Sequence, residues 1–205
     1  MAEVFGFCDD RFAEVRDTLA KSIDKGMDVG ASYALTIDGE MVIDLWGGHL
    51  DAGQTIPWQE DTIINVYSTT KTMSFLTALM LADRGELDFD APVARYWPEF
   101  AANGKQDVRV WHVMNHAAGL PGMDEPMKPE DLYDWDKMCS ALAAQAPWWQ
   151  PGTATGYHAM TQGYLIGEVV RRISGQTLGQ FFATEIARPL QAEFHIGVPD
   201  SEFPR

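Results

Sequence analysis

The chain has 205 residues, which is enough for one domain or two small ones with a substantial buried core. Hydrophobic residues make up 46% and charged residues 22%, as is usual for a globular protein, and no stretch of the sequence approaches the length of a membrane span. The formal net charge of -15 would repel phosphate backbones and anionic membranes, so we expect neither nucleic acid nor a membrane as a partner.

The amino-terminal region predicts one helix followed by a β-hairpin. Residues 31–37 and 40–46 form two strand patterns, and Asp38-Gly39 between them is a dipeptide that tight hairpin turns prefer. We therefore predict an antiparallel hairpin over residues 31–47. The helix before it is indicated by an apolar stripe at helical spacing, made of Phe12, Val15, Leu19 and Ile23.

A second helix, predicted to be buried, begins near Ser68. Residues 62–67 before it form an extended apolar segment, and residues 73–82 within it are almost all apolar. Because a helix that is apolar on most faces is usually buried, we expect this helix to lie in the core. It should continue to about Arg84 and end at Gly85, the position that a glycine often takes after a helix.

Helices are also predicted for most of the remaining chain, so that the helical region extends over about residues 69–190. Residues 108–115 form a short helical pattern, and Pro129 begins another helix, with acidic residues in its first turn. The final helix should start near Leu178 and end before Pro189, because proline interrupts a helix.

Ser68 and Lys71 place a hydroxyl and an amine three residues apart at the start of the buried helix. Side chains at positions i and i+3 lie on one face of a helix, so Lys71 can reach the proton on Ser68 Oγ. A lysine can serve as a base once burial or positive potential lowers its pKa. The N–H groups of a helix amino end can also stabilise an oxyanion. The pattern predicts an acylatable serine.

Two further observations bear on this spacing. The local sequence leaves open that Ser68 is an ordinary N-cap and that Lys71 extends to solvent. The same spacing occurs at Ser22 and Lys25 on the polar side of the first helix, where we predict a surface position. Only the serine at position 68 has apolar segments on both sides.

Other catalytic motifs are incomplete in this sequence. The serine motif of Ser-His-Asp hydrolases has a partial match at residues 30–34, and no phosphate-binding glycine loop occurs. His112 and His116 have a spacing that could bind zinc, but the glutamate of the zinc-protease motif is absent, so we predict structural histidines and no metal or cofactor. Cys8 and Cys139 are too few to suggest a disulfide framework, and the amino terminus has no basic segment followed by an apolar one, as a secretion signal would. We therefore expect a cytoplasmic protein with reduced cysteines.

Tyr157 is the next candidate for a functional side chain. It follows a polar loop and directly precedes a helix, where a side chain can project into a cleft. The alternative is a tyrosine that packs against the helix. Trp148 and Trp149 lie in the loop before it, and the sequence leaves open whether they line a pocket or pack.

Several separated segments resemble, in the same order, motifs of the serine β-lactamase-like superfamily, specifically the group of class C β-lactamases, DD-peptidases and family VIII carboxylesterases. Residues 68–72 resemble the S-x-x-K-T motif, and residues 83–93 resemble the G-x-L-x-L-D-x-P-V stretch. Residues 110–120 are similar to the R-H-L-L-x-H-x-S-G-L block. Residues 151–157 and 163–168 resemble the segment that holds the second catalytic motif.

The resemblance covers nearly the whole chain and implies an α+β fold. This is the β-lactamase/DD-peptidase-like sandwich, in which helices pack on an antiparallel sheet. The resemblance implies that Ser68 is the nucleophile and that Lys71 is a base or proton relay. It also implies that Tyr157 activates Ser68 or protonates the leaving group. Acylation would then give an ester on Ser68, which water hydrolyses.

Two departures from the family pattern affect the expected function. β-Lactamases and DD-peptidases carry Y-x-N, whose asparagine amide contacts the substrate amide. Here Tyr157-His158-Ala159 has alanine in that place, which resembles family VIII carboxylesterases and favours an esterase. The third motif, on a strand that supplies an oxyanion-hole N–H, has no counterpart before Arg205. Because a two-stranded hairpin is not a stable sheet by itself, we expect residues 1–205 to be the N-terminal portion of a domain, with its C-terminal strands missing.

These observations predict a serine carboxylesterase that hydrolyses short-chain acyl esters through an acyl-enzyme on Ser68. The expected partners are a small-molecule ester and a second chain, or C-terminal portion, that completes the sheet and the oxyanion hole. Two alternatives remain open. One is a β-lactam or peptidoglycan amide hydrolase, and the other is a non-catalytic fragment that binds a partner through its unpaired sheet edge.

Overall fold

The computed structural model describes residues 1–203, which form two compact units. The first unit comprises Met1–Ile64 and the residues from Ser201 onward, and the second comprises Asn65–Asp200. Among the described residues, no helix has the length and apolar character that crossing a membrane requires.

The first unit is a three-stranded antiparallel sheet covered by one helix. The strands lie in the order β1-β3-β2, and the helix α1 follows β1 in the chain. The bounds are β1 Val4–Cys8, α1 Ala13–Asp24, β2 Gly30–Ile37 and β3 Glu40–Gly48. The turn between β2 and β3 holds Asp38 and Gly39 at φ values of 52° and 84°, the left-handed conformation that this dipeptide tolerates in tight hairpins.

One face of this sheet is buried and the other is open. The apolar stripe of α1 packs on Ile43 and Leu45 of β3. Successive side chains of a strand point to opposite faces. Phe5 and Phe7 of β1 therefore lie away from α1, and they are 45% and 55% exposed. The strand β1 was not predicted from the sequence, and its pairing with β3 enlarges the expected hairpin to three strands.

The second unit is helical. Its core is formed where α2 and α4 pack on α5, and α6 packs on both α2 and α5. The bounds are α2 Thr70–Asp83, α3 Val110–Met114, α4 Trp135–Ala144, α5 Thr161–Ser174, α6 Leu178–Phe182 and α7 Arg188–Leu190. A 3₁₀ turn over Pro129–Tyr133 precedes α4, so the predicted helix start at Pro129 lies one turn before the α-helix itself.

The last helical segment extends beyond its predicted end. The sequence predicted a stop before Pro189, but the chain continues from α6 through a π-helical turn, Ala183–Ala187, into α7. The π turn changes the hydrogen-bonding register, so that Pro189 falls in the first turn of α7, where a missing N–H costs little. The helix then ends at Gln191, which has a left-handed conformation.

The helix α2 is buried on one side only, so the prediction that it lies wholly in the core was wrong in part. Its buried residues are Ser74, Thr77, Ala78 and Leu81. Leu76 and Leu79 are 39% and 52% exposed. A run of residues that is apolar on all faces predicts burial on all faces, whereas the helices that pack on α2 within this unit, α5 and α6, cover one side.

The side chain of Glu168, on α5, links this helix to α4 by a hydrogen bond with Trp135. Its side chain is 1% exposed and accepts hydrogen bonds from Trp135 Nε1 at 2.8 Å, Arg171 Nε at 2.8 Å and Arg172 Nε at 2.7 Å. Burial alone would raise the pKa of Glu168, but these hydrogen bonds outweigh it and lower the pKa from 4.5 to about 2. The ionised carboxylate is thus the form that the fold stabilises.

We expect Glu168→Gln to lower the free energy of unfolding by about 3 kcal/mol at pH 7, because it removes the anion from a buried ionic cluster. Since the pKa of Glu168 is lower in the folded state, its contribution is complete above pH 4.5 and decreases as the pH falls toward 2. Urea unfolding of the wild type and of Glu168→Gln at pH 7 and pH 3 measures the difference in free energy of unfolding at each pH. Asp90→Asn, which breaks an exposed ion pair with Arg109, is the control and should cost less than about 1 kcal/mol. A Glu168→Gln cost that is the same at both pH values would contradict the prediction.

Candidate active site

Ser68 lies in a 3₁₀ turn, Tyr67–Thr69, that leads directly into α2. Tyr67 has a φ of 46°, a left-handed conformation that is strained for a residue with a bulky side chain. Asn65 Oδ1 accepts the Tyr67 N–H at 2.9 Å and holds this turn. The N-cap position of α2 is Thr69, so the alternative that Ser68 is an ordinary N-cap was wrong. The strained turn presents Ser68 at the surface, at the amino end of the helix.

The structure brings together the three residues that the sequence singled out. The Tyr157 hydroxyl donates to Ser68 Oγ at 2.6 Å, and Lys71 Nζ donates to Ser68 Oγ at 3.3 Å. Lys71 Nζ also donates to the Ala159 carbonyl oxygen at 2.7 Å and lies 5.0 Å from the centre of the Tyr157 ring. Lys71 therefore points inward to these groups rather than to solvent. The serine hydroxyl is thus in contact with both the tyrosine hydroxyl and the lysine amine.

The surroundings of Tyr157 make its hydroxyl easier to ionise than that of an ordinary tyrosine. The pKa of Tyr157 is lowered first by its hydrogen bond with Ser68 and then by its interactions with Lys71, which outweigh the effect of burial. A nearby cation stabilises a phenolate, and once Tyr157 is ionised the Ser68 hydroxyl can turn to donate a hydrogen bond to the phenolate oxygen, which stabilises it further. Tyr157 is thus better prepared than an ordinary tyrosine to accept a proton from Ser68.

Two histidines hold the loop that carries Tyr157, and the sequence did not predict this role. His116 packs edge-on against the Tyr157 ring at 4.9 Å, and its Nδ1 accepts the His158 N–H at 3.1 Å. His158 is fully buried, and its Nε2 accepts the Leu120 N–H at 3.0 Å. Its Nδ1 must therefore carry the proton and donate to the Gly156 carbonyl, 2.6 Å away. Through these contacts, both rings fix the position of Tyr157 and of the loop that carries it.

The histidine pair that was considered for zinc takes part in backbone hydrogen bonds. His112 Nδ1 accepts the Arg109 N–H at 2.9 Å, in addition to the contact that His116 makes with His158. Burial lowers the pKa of both rings, which keeps them neutral. Among residues 1–203, no group of three or more His, Cys, Asp or Glu side chains could hold a metal ion.

The two adjacent tryptophans pack against loops. Trp148 Nε1 donates to Asp124 Oδ1 at 2.5 Å, and Trp149 Nε1 donates to the Ala154 carbonyl at 2.9 Å. The Trp149 ring also lies edge-on to His158 at 6.2 Å. Trp149 therefore has a packing role, whereas Trp148 contacts its loop but remains 54% exposed, so the question that the sequence left open is answered for Trp149 alone.

The other Ser-x-x-Lys sequence forms no comparable site. The Ser22 hydroxyl donates to the Asp28 carboxylate, and Lys25 is exposed. A lysine three residues away is therefore insufficient, and the contacts that Ser68 makes with both Tyr157 and Lys71 distinguish it from Ser22.

A cavity of about 620 Å³ opens beside Ser68 within the second unit. Its walls come from the turn before α2, from α2 itself, from the starts of α4, α5 and α6, and from Ile196. The lining residues are Tyr67, Ser68, Thr70, Lys71, Ser74, Leu132, Trp135, Ala159, Met160, Gly163, Tyr164, Thr177, Leu178, Gly179 and Ile196. This volume lies in the range of small-molecule sites.

Comparison with known proteins agrees with the motif analysis. The Beta-lactamase family model matches residues 19–205. The esterase/beta-lactamase LipL of Mycobacterium tuberculosis is 39% identical over 202 residues, which cover 98% of this chain and 47% of that protein. The crystal structure of a family VIII carboxylesterase has a TM-score of 0.95 and 51% identity, covering 99% of this chain and 56% of the other.

A second solved structure gives the same result. A penicillin-binding protein homologue from Caulobacter crescentus has a TM-score of 0.95 and 42% identity, covering 98% of this chain and 54% of its own. The chain thus spans about half the length of the proteins that it matches. The predicted resemblance and the predicted α+β fold class are confirmed.

Proposed function

Because the chain belongs to the Beta-lactamase family, we propose that it provides the catalytic residues of a serine carboxylesterase that hydrolyses short-chain acyl esters. The observation that carries this proposal is the contact of Ser68 Oγ with both the Tyr157 hydroxyl and the Lys71 ammonium group. A serine with a base in hydrogen-bonding reach, oriented by a third group, is the usual arrangement of an activated nucleophile. The names of the similar proteins, which include esterases, support the same assignment.

In the proposed acylation step, Tyr157 is the base. Its phenolate takes the proton from Ser68 Oγ, and the oxygen forms a bond to the ester carbonyl carbon. The bond between that carbon and the alcohol oxygen then breaks, and Tyr157 returns the proton to the leaving alkoxide. Water attacks the resulting acyl-enzyme by the same route in reverse, which releases the acid and restores Ser68.

Lys71 has a supporting role in this scheme. Its ammonium group is held by the Ala159 carbonyl and lies over the Tyr157 ring, so it stabilises the phenolate. A backbone carbonyl orients Lys71 at the very position where β-lactamases and DD-peptidases carry asparagine. Lys71 thus serves as a fixed cation and proton relay, and Tyr157 as the group that exchanges protons with the substrate.

Ala159 supports an ester rather than an amide as the substrate. In the β-lactamases and DD-peptidases, the asparagine at this place contacts the substrate amide, whereas an alanine side chain offers no hydrogen bond. Loss of one such bond costs about 1–3 kcal/mol, or about 5- to 150-fold in kcat/KM for an amide substrate. An ester has no amide N–H, so the absence of the asparagine costs an ester substrate less binding free energy than it costs an amide.

The test measures hydrolysis of para-nitrophenyl butyrate and of a chromogenic cephalosporin by the full-length protein. We expect the ester to be the better substrate, and we expect Ala159→Asn to raise cephalosporin turnover by about 10-fold or more. Ala154→Asn, at an exposed position in the same loop, is the control and should change neither rate. A wild-type protein that hydrolyses the cephalosporin faster than the ester would favour the second candidate, a β-lactam or peptidoglycan amide hydrolase, which the names of some similar proteins suggest.

We also propose that a second chain, or a C-terminal portion of the same gene product, completes the sheet and the oxyanion hole. The open face of the first unit supports this, because Phe5 and Phe7 are large apolar side chains exposed on a sheet of only three strands. Tyr33 and Ile37 on the edge strand β2 are exposed as well. An unpaired apolar edge readily accepts another strand.

A further inference from the structure

The cavity beside Ser68 has walls that are more apolar than its residue types suggest. Trp135 and Tyr164 both line it, and each could offer a polar atom to a ligand. However, Trp135 Nε1 donates to Glu168 at 2.8 Å, and the Tyr164 hydroxyl donates to the Leu132 carbonyl at 2.6 Å. These polar atoms are already occupied, so the two rings offer hydrocarbon surface to the cavity. Leu132, Leu178 and Ile196 complete this apolar wall.

Two of the hydroxyl groups in the wall, those of Ser74 and Thr177, are also held by the backbone. Ser74 Oγ donates to the Thr70 carbonyl at 3.2 Å, and Thr177 Oγ accepts the Gln180 N–H at 3.2 Å. Lys71 is the one charged residue among those that line the cavity, and its ammonium group is bound to Ala159 and Ser68. Against the apolar wall formed by Trp135, Tyr164, Leu132, Leu178 and Ile196, a charged ligand group would lose water without gaining a partner, at a cost in free energy.

The position of Tyr157 indicates which part of an ester enters the cavity. Tyr157 gives its proton to the leaving alcohol in the proposed mechanism, so the alcohol must lie next to the Tyr157 hydroxyl. Tyr157 is absent from the residues that line the cavity, although its hydroxyl is 2.6 Å from Ser68 Oγ. An alcohol that receives its proton from Tyr157 would leave on the Tyr157 side of Ser68, and this directs the acyl group toward the cavity on the other side.

We propose that this cavity is an acyl pocket that selects uncharged, apolar acyl groups larger than acetyl, and that it extends the proposed short-chain range to groups such as octanoyl or phenylacetyl. The assignment rests on the proposed esterase function and specifies its substrate class. An acetyl group would leave most of the 620 Å³ unfilled. A longer apolar chain buries its surface against the hydrocarbon wall, and each buried methylene adds to the binding free energy.

Gly163 offers a direct way to fill the pocket. It lies in the first turn of α5, it lines the cavity, and a Cβ atom added there would meet nothing within 4 Å. A side chain at this position therefore enters the cavity without disturbing the packing of the fold. Replacing a glycine within a helix also removes a conformational cost, so the variant should remain folded.

The experiment measures kcat/KM of the full-length protein for para-nitrophenyl acetate and para-nitrophenyl octanoate, in the wild type and in Gly163→Leu. We expect the wild type to prefer octanoate by about 10-fold or more, and Gly163→Leu to lose about 10-fold or more on octanoate while acetate changes by less than about 2-fold. Ser140→Leu is the matched control, because it adds the same side chain at an exposed position of α4 that does not line the cavity. It should leave both rates unchanged.

Four results would overturn the assignment. Equal rates for both esters in the wild type, or equal changes for both in Gly163→Leu, would show that the cavity does not select the acyl group. A Gly163→Leu defect that depends on the alcohol of a series of acetate esters would make the cavity an alcohol pocket. Failure of the wild type to hydrolyse any ester would remove the proposed function itself, and the acyl pocket with it.

Discussion

Replacing Ser68 with alanine is expected to lower kcat for ester hydrolysis by about 10,000-fold or more, because the variant lacks the atom that forms the acyl-enzyme. Nothing else within the contacts of Tyr157 and Lys71 can replace Ser68 Oγ as the attacking group. The loss should appear in kcat rather than KM, since the side chain acts in the transition state and not in holding the substrate. Steady-state kinetics on para-nitrophenyl butyrate gives both constants.

Ser74→Ala is the matched control for this substitution. Ser74 lies on α2 and lines the same cavity, but its hydroxyl donates to the Thr70 carbonyl instead of contacting a base. Its activity should remain within about 3-fold of the wild type, as expected for a change that leaves the transition-state contacts in place. Full esterase activity in Ser68→Ala would contradict the proposed mechanism and leave the fold without its assigned nucleophile.

A covalent probe makes the same experiment independent of the substrate. A fluorophosphonate should add its mass to the wild type and to Ser74→Ala, and not to Ser68→Ala. Intact masses of every polypeptide in the purified sample should also show whether a second chain accompanies this one. A sample that contains this chain alone and takes up no probe would support the alternative of a non-catalytic module that binds a partner through its sheet edge.

The hairpin and the helices could be predicted from the sequence because their signals are local. Asp38-Gly39 specifies a turn through backbone conformations that few other dipeptides adopt, and both residues have positive φ in the structure. The strand β1 gave no such signal. It is five residues long, contains Gly6, and is defined by its pairing with β3 across more than thirty intervening residues. Pairing at that distance depends on tertiary contacts that local patterns do not encode.

The candidate site likewise combines residues that local sequence patterns can predict with residues that they cannot. Ser68 and Lys71 could be paired from helical spacing, because i and i+3 side chains share a face. Tyr157 lies 89 residues from Ser68, so only the family resemblance could connect them. The contribution of His158 was not predictable at all, because its role depends on two backbone partners, Gly156 and Leu120, in different loops. Sequence patterns indicate which side chains can react but not what orients them.

The second large effect is expected at Tyr157. Tyr157→Phe removes the proposed base and should lower kcat/KM by about 100- to 10,000-fold, the usual contribution of general acid–base catalysis. Replacing Lys71 should instead change how kcat/KM depends on pH. The phenolate is the active form, so kcat/KM of the wild type should rise with pH through the lowered pKa of Tyr157. Removing the cation in Lys71→Gln raises that pKa, and the rising limb of the profile should therefore move to higher pH.

Lys71→Arg keeps the positive charge and is the control for that shift. The rising limb of the Lys71→Arg profile should lie closer to that of the wild type than the rising limb of the Lys71→Gln profile does. The maximal rate of Lys71→Arg can still be lower, because a guanidinium group differs in shape from an ammonium group. The pH profile also separates the two roles that the sequence left open for Lys71. If Lys71→Arg were inactive at every pH while Tyr157→Phe kept most of its activity, the base would be Lys71. Movement of the limb in Lys71→Gln, with loss of activity in Tyr157→Phe, assigns proton transfer to the tyrosine and electrostatic stabilisation to the lysine.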